Sequence, residues 1–281
     1  MGKDVRQAAL LGRLTIYIRK GCFMEFHIMT LFPEMMTGIL NESITGRAQK
    51  AGLITVRAWN IRDYAQNTSR HVDDYIYGGG PGMLMQCEPI DLCFQAILQD
   101  LKERGIEDTP RVIYLSPKGE TFRQTKAEAF AAEPDRPLIL LCGHYEGIDE
   151  RVLTLLSAEE ISLGDFVLTG GELGAAIIVD AVSRLLPGVL GDDTSAIFES
   201  FHEDLLECPQ YTRPEIYKDL RVPEILLSGN HARIEAWRLE QAEKLTEERR
   251  PDLYRKYREA HPPLPEKKRR KKRTDTPSGN D

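Results

Sequence analysis

From Met24 onward the chain alternates apolar runs of strand length with stretches of helical period, and that alternation restricts the fold more than any other feature. The strand-like runs are EFHIMTL (25–31), LITVRAW (53–59), RVIYL (111–115) and PLILLC (137–142). Among them lie the helical patterns PIDLCFQAILQDLKERG and TFRQTKAEAFAAE. Two further strand-like pieces, EISLG and DFVLT, lead into GGELGAAIIVDAVSRLL, expected as a buried helix opening on a glycine pair. The expectation is an α/β domain over 24–187. Beyond Pro187 the pattern changes: 188–202 has turn residues and little period, as a linker or active-site loop does. Residues 203–262 read mainly as amphipathic helix with Trp237 on one face, a second, small helical domain.

The two ends are of a different kind. Residues 1–23 lack the continuous apolar core of a secretory signal. They are expected to be an extension outside the fold, with the working polypeptide starting at Met24 and a transit peptide as the alternative. Residues 263–281 carry the run KKRRKKR (267–273) and are expected to be a basic, disordered tail. Charge is informative only once this run is set aside. The whole chain carries 37 basic and 44 acidic residues for a net −7, so without the run 30 face 44. The body is acidic, and the run, usually a solvated tail, has the charge to add attraction to RNA phosphate without sequence preference. Five scattered cysteines with no C-x-x-C pair fit a reducing, cytoplasmic setting. No apolar run is long enough to cross a bilayer.

The stretch DDYIYGGGPGM (73–83) spends four glycines around one proline, a large entropic cost on ordering. It is either a tight turn or a place where a flat ligand meets bare backbone. It is not G-x-G-x-x-G, and no G-x-x-x-x-G-K-[ST] occurs, so neither a standard dinucleotide fold nor a P-loop is indicated. Cys142 and His144 are close in sequence but lack two further zinc ligands, and read as a packing thiol beside a loop histidine. Three loops, YLSPKGE (114–120), CGHYEGIDER (142–151) and SLGDFVLTGGEL (162–173), each follow a strand-like run. Ligands of open α/β sheets collect at the carboxyl ends of strands, so three such loops together describe one pocket able to read a heterocycle through backbone groups.

LFPEM, TGRA, VDDYIYGGGPGMLM, YLSPKG, CGHYEGIDERV, GDFVLTGGEL, VSRLLPGVLG, CPQYTRP and LLSGNH follow one another in this order. In this the chain resembles the bacterial tRNA (guanine-N1)-methyltransferases of the SPOUT superfamily, over about Met24 to Tyr257. The resemblance implies methyl transfer from S-adenosylmethionine to N1 of the guanine on the 3′ side of the tRNA anticodon. It also implies a homodimer with its active site at the subunit interface, and a catalytic domain containing a deep trefoil knot.

Carried over by position, the cofactor pocket comprises Tyr114, Leu115, Ser116, Pro117, Gly143, Tyr145, Glu146, Gly147, Leu163, Gly164, Phe166, Leu168, Gly170 and Gly171. Glycines let backbone amides reach adenine, and Tyr145 offers a π face to the sulfonium. N1 of neutral guanine carries a proton, and its loss builds negative charge on O6, so the reaction needs a base and a cation. The resemblance assigns these roles to Glu199 and Arg184. Glu199 stands where aspartate is usual, one methylene longer, with Asp192 and Asp193 as rival carboxylates. Gly174 and Phe166 replace the usual proline and a common tyrosine. Glu146 is either a structural acid or a ligand for Mg2+.

For the glycine loop, the resemblance implies that Pro81 and Gly82 lie against the flipped-out guanine, with Asp73 and Asp74 supporting the loop. Gly82→Val is then expected to impair tRNA use more than methyl-donor use. Arg213, Asn230, His231 and Arg238 are candidate RNA contacts, each equally readable as a surface or capping residue. The competing readings are a catalytically impaired tRNA-binding protein of the same fold and a SPOUT methyltransferase acting at another RNA position.

Overall fold

The computed structural model describes residues 23–191 and 199–262. Residues 1–22, the rival carboxylates Asp192 and Asp193, the rest of 192–198, and the basic tail lie outside the described residues. The chain divides into two compact units, Met1–Ala196 and Ile197–Asp281.

The first unit is built on a five-stranded sheet in the order β2-β1-β6-β5-β7. Its strands are β1 (Met24–Thr30), β2 (Ile54–Asn60), β5 (Arg111–Thr121), β6 (Leu138–Leu141) and β7 (Glu159–Ser162), and all neighbouring pairs run parallel. Parallel sheets are covered on both faces and read as continuous apolar runs, and β1 and β6 are buried along their whole length. On one side pack α1 (Pro33–Leu40), α2 (Ser43–Lys50), α4 (Gln124–Ala131) and α6 (Glu172–Ser183), around a core that includes Phe26, Ile28, Ile113, Leu140, Ile178 and Val182. On the other lie α3 (Cys87–Glu103) and α5 (Arg151–Leu156), around Met29, Ile90, Ile97, Leu141 and Val152.

The four expected strands and the long helices occur at nearly their expected places, while 165–169 and the burial of α6 differ. DFVLT (165–169) is not a strand: it forms bends with Phe166 and Val167 largely exposed. The glycine-rich stretch tops a short antiparallel hairpin, β3 (Asp73–Tyr75) with β4 (Met83–Met85). Nor is α6 buried all round, since Leu173 and Ile177 are about half exposed, at 48% and 49%.

In the second unit, β8 (Ile216–Tyr217) and β9 (Leu220–Arg221) form a hairpin, followed by α7 (Glu224–Leu227), α8 (His231–Arg249) and α9 (Pro251–Ala260). Its core is small: Leu205, Ala242 and Tyr257, with Cys208 and Tyr254 against them. Thr246 Oγ1, fully buried in α8, donates to Ala242 O (2.6 Å) and accepts the Leu206 N–H (2.8 Å), tying the incoming loop to the helix. No helix among the described residues is long and apolar enough to cross a membrane.

Candidate active site

Two of the three loops singled out by sequence leave the carboxyl ends of β6 and β7, and the third interrupts β5, their neighbour in the sheet. The β5 loop is a bulge inside one long strand. Leu115 and Glu120 both pair with Ile161, so Ser116–Gly119 are pushed out of the ladder. The loop after β6 is anchored by Cys142 N–H to Met29 O (2.9 Å) and turns through Tyr145 at φ 59° and Gly147 at φ 123°. A tyrosine in the left-handed region is uncommon, and such strain clusters at functional loops. The loop after β7 closes through a reciprocal pair, Gly164 N–H to Ser162 Oγ and Ser162 Oγ–H to Gly164 O, both 3.1 Å.

Together these loops enclose an open cleft of about 230 Å³. Of the fourteen residues expected there, thirteen line it; Gly164 does not, being turned toward the Phe166 ring. His144, Ile161, Ser162, Val167, Thr169 and Gly174 also line it. Val167 and Thr169 were missed because their apolar alternation mimics a strand, and His144 because a lone loop histidine carries no distinctive spacing. The glycines are required by close approach. A Cβ on Gly143 would lie 2.9 Å from the Tyr114 ring, and one on Gly171 2.6 Å from Cys142 Cα. Gly171 N–H bonds Gly143 O (3.2 Å), joining two walls of the cleft by backbone alone.

The glycine-loop hairpin is fastened to the same cleft. Glu146 N–H donates to Met83 O, Met85 N–H to Gly147 O, and Asp149 N–H to Met85 O, each at 3.0 Å. Gly82 packs directly on the Glu146 side chain. Gly78, Gly79 and Gly80 all have positive φ and open space around them, and Tyr77 is 97% exposed, so the tip projects from the unit. Asp74 holds the hairpin base, its Oδ2 accepting from Gln86 Nε2 (3.3 Å). Asp73 is half-buried on β3.

Under the cleft, Glu172 at the start of α6 is buried and accepts from Thr30 Oγ1 (2.5 Å) and His144 Nε2 (2.7 Å). Burial alone would push its carboxyl up, but the hydrogen bonds from His144 and Thr30 hold it below the usual carboxylate value. Cys142 is fully buried, and burial followed by the Glu172 charge pushes its thiol far up, so it is an inert packing residue. Burial likewise raises the Tyr114 phenol. No group of three or more metal-ligating side chains occurs among the described residues.

The remaining expected residues lie at the far end of α6 or in the second unit. Arg184 follows the last turn of α6, its N–H bonded to Asp180 O (3.2 Å). At 1.5 Å per residue that is about 20 Å along the helix from the glycine pair. Glu199, half-buried, belongs to the second unit, as do Arg213, His231 and Arg238, which are exposed. Asn230 caps α8, its Oδ1 accepting from Arg233 N–H (3.2 Å), which satisfies one orphan donor of the helix start.

The family model described as "tRNA (Guanine-1)-methyltransferase TrmD" matches residues 24–256. The chain belongs to this family. Proteins named tRNA (guanine-N(1)-)-methyltransferase share much of the sequence. That of Lachnospira eligens is 52% identical over 85% of this chain and 98% of its own length. That of Clostridioides difficile is 50% identical over 84% and 100%, and that of Moorella thermoacetica 55% over 82% and 90%. The region matched to the tRNA (guanine-1)-methyltransferases contains the whole cleft, the glycine-loop hairpin, Arg184 and Glu199.

Proposed function

We propose that this chain transfers a methyl group from S-adenosylmethionine to N1 of the guanine on the 3′ side of the tRNA anticodon. The observation that carries the reading is the convergence of three family motifs on one glycine-walled cleft.

The cleft suits an adenosyl group. Gly143, Gly170 and Gly171, packed too closely on Tyr114, His144 and Cys142 to carry a Cβ, line the cleft with bare backbone, Leu115, Ile161 and Leu163 give apolar walls, and Ser116 and Ser162 supply hydroxyls. Tyr145 offers a ring to a sulfonium. When bound, the donor supplies an electrophilic methyl group. Glu199 takes the N1 proton, and the Arg184 guanidinium faces the charge gathering on O6. Pro81 and Gly82 receive the flipped guanine on bare backbone, Asp73 and Asp74 steadying their hairpin. Arg213, Asn230, His231 and Arg238 contact the tRNA from the second unit, a small helical tRNA-binding domain. Glu146 is the one acidic side chain lining the cleft among the described residues. Mg2+ commonly binds one or two carboxylates plus substrate oxygens and water, so a single carboxylate suits a substrate-borne ion.

The working form is a homodimer. Two observations support this: the roughly 20 Å that separates Arg184 from the glycine pair of its own helix, and the exposed apolar residues of two neighbouring helices, Met35 and Ile39 on α1 with Leu173 and Ile177 on α6. In this reading the active site lies at the subunit interface, with Arg184 supplied by the second copy. The catalytic unit carries the trefoil knot of the SPOUT fold, and the enzyme acts in the cytoplasm.

Incubation with unmodified tRNA transcripts bearing guanosine or adenosine 3′ to the anticodon, followed by nucleoside analysis, tests the reading. The expected result is 1-methylguanosine from the first transcript and no product from the second. Methylation of another nucleoside, or tRNA binding without transfer, would overturn it.

A further inference from the structure

His144 stands where three parts of the first unit meet: the end of β1, the loop after β6 and the start of α6. Its Nε2 lies 2.7 and 2.9 Å from the two oxygens of Glu172, whose Oε1 also accepts from Thr30 Oγ1. The Thr30 hydroxyl in turn accepts the Phe32 N–H (2.9 Å), and the Phe32 ring meets the His144 ring edge-on at 5.0 Å. With the carboxylate accepting from both sides, Nε2 carries the hydrogen and donates. The Glu172 carboxylate is 2% exposed, so no water can replace a lost donor without rearrangement.

The pair also explains why residue 170 is glycine. A Cβ there would collide with the His144 ring and sit 2.6 Å from Glu172 Oε2. The Cε1–Nε2 edge of the imidazole thus lies close against Gly170, while its own main chain continues from Gly143, the opposite wall of the cleft. Among the described residues one backbone hydrogen bond of 3.2 Å, Gly171 N–H to Gly143 O, otherwise spans the two strips.

We infer that His144 is a positioning residue for the methyl-donor site, its Nε2–H bond to Glu172 bracing the Gly143 and Gly170–Gly171 strips at the spacing an adenosyl group requires. The inference rests on the reading of the cleft as the donor site. Misplacing binding groups by an ångström costs on the order of a hundredfold in rate, so loss of the brace falls on donor use. The glycine-loop hairpin is held by backbone bonds of its own to residues 146–149 and is spared.

His144→Gln and His144→Asn test this on the full-length chain. The glutamine amide nitrogen reaches the Nε2 position, whereas the asparagine amide falls short of Glu172. Affinity for S-adenosylhomocysteine by titration calorimetry, affinity for tRNA, and the Michaelis constant for the donor are measured alongside melting temperature. The expected result is donor-side affinity within about threefold of wild type for His144→Gln, and a loss of about tenfold or more for His144→Asn. Affinity for tRNA should stay within about twofold in both. Equal donor affinity in the two variants, whether retained or lost, would overturn the brace. So would parallel losses for donor and tRNA, the signature of a merely structural role. Should either variant not fold, Thr30→Val, which removes the second donor to Glu172, is expected to weaken donor affinity severalfold without changing tRNA affinity, and unchanged donor affinity would overturn the inference. Failure of wild type to bind the thioether is a separate outcome that removes the donor-site reading itself.

Discussion

At Gly82 the structure changes what a substitution should do. The residue sits at φ 88°, where any L side chain is strained, and a Cβ would run into the Glu146 side chain, which itself lines the cleft. Gly82→Val is therefore predicted to raise the Michaelis constants for both donor and tRNA by tenfold or more, rather than that for tRNA more than that for the donor, as the loop's sequence suggests. Steady-state kinetics with each substrate varied in turn checks this, and an effect on tRNA only would contradict it. Gly174 is a second case in which the neighbour decides the outcome. In a helix alanine is favoured over glycine by about 1 kcal/mol, yet a Cβ at 174 would strike Leu115 Cδ1 while Leu163 Cδ1 waits at 3.3 Å. Since Gly174 and Leu115 both line the cleft, Gly174→Ala should weaken donor binding severalfold, and adding Leu115→Ala should restore it. Additive losses in calorimetry would refute that coupling. Glu199→Gln should cut kcat by roughly 10²–10⁴ with little change in donor affinity, and an unchanged kcat would remove it as the base. The pocket residues were legible because each motif is a strand end followed by close-approach glycines. Glu172 and Thr30 were not, because a carboxylate buried beside a histidine and a threonine distant in sequence leaves no local pattern.

Elements contribute in two ways. Adjacency of β6, β5 and β7 turns three separate loops into one cleft, and this followed from the run-and-loop pattern. The β3–β4 hairpin and the bends of 165–169 did not, since three-residue strands fall below any periodicity and an apolar run at a ligand cleft resembles one in a core. From Glu25 and His27 in the first half of β1, a buried polar network reaches Trp59 of β2 and Arg104, the residue just after α3. His27 Nδ1 accepts from Trp59 Nε1 (3.1 Å), leaving its Nε2–H for Glu25 Oε2 (3.2 Å), and Arg104 holds Glu25 in a two-pronged bond at 2.5 and 2.7 Å. Burial pushes His27 down to about 4 from its ordinary 6.5, against the pull of Glu25. Between those values an unfolded chain binds a proton that the folded one refuses, so stability is full above 6.5 and falls as pH drops toward 4. Burial works to raise Glu25, but the bond and charge of Arg104 bring it below its ordinary 4.5, so its contribution too is lost on acidification. The predicted loss between pH 7.5 and pH 5 is roughly 2 kcal/mol. Urea midpoints at the two pH values measure it, and an unchanged midpoint would refute it.

For the whole molecule, the apolar face of α1 and α6 predicts association. Light scattering should give the mass of two chains, and Ile177→Glu with Met35→Glu should yield a folded monomer devoid of transfer activity. A monomeric wild type with full activity would exclude a shared site. The fold class was legible from alternation alone, whereas the separation of Arg184 from the cleft was not, because it is set by the length of α6 between them. The central claim is that the turns at the tips of β6 and β7 and the bulge of β5 between them hold an adenosyl group. Calorimetric titration of S-adenosylhomocysteine into wild type and into Gly143→Ala, whose new Cβ presses on the Tyr114 ring, tests it most directly. Saturable binding to wild type and affinity at least tenfold weaker in the variant, with its melting curve preserved, is the predicted result. No saturation with wild type, or equal affinity in the two proteins, would contradict it.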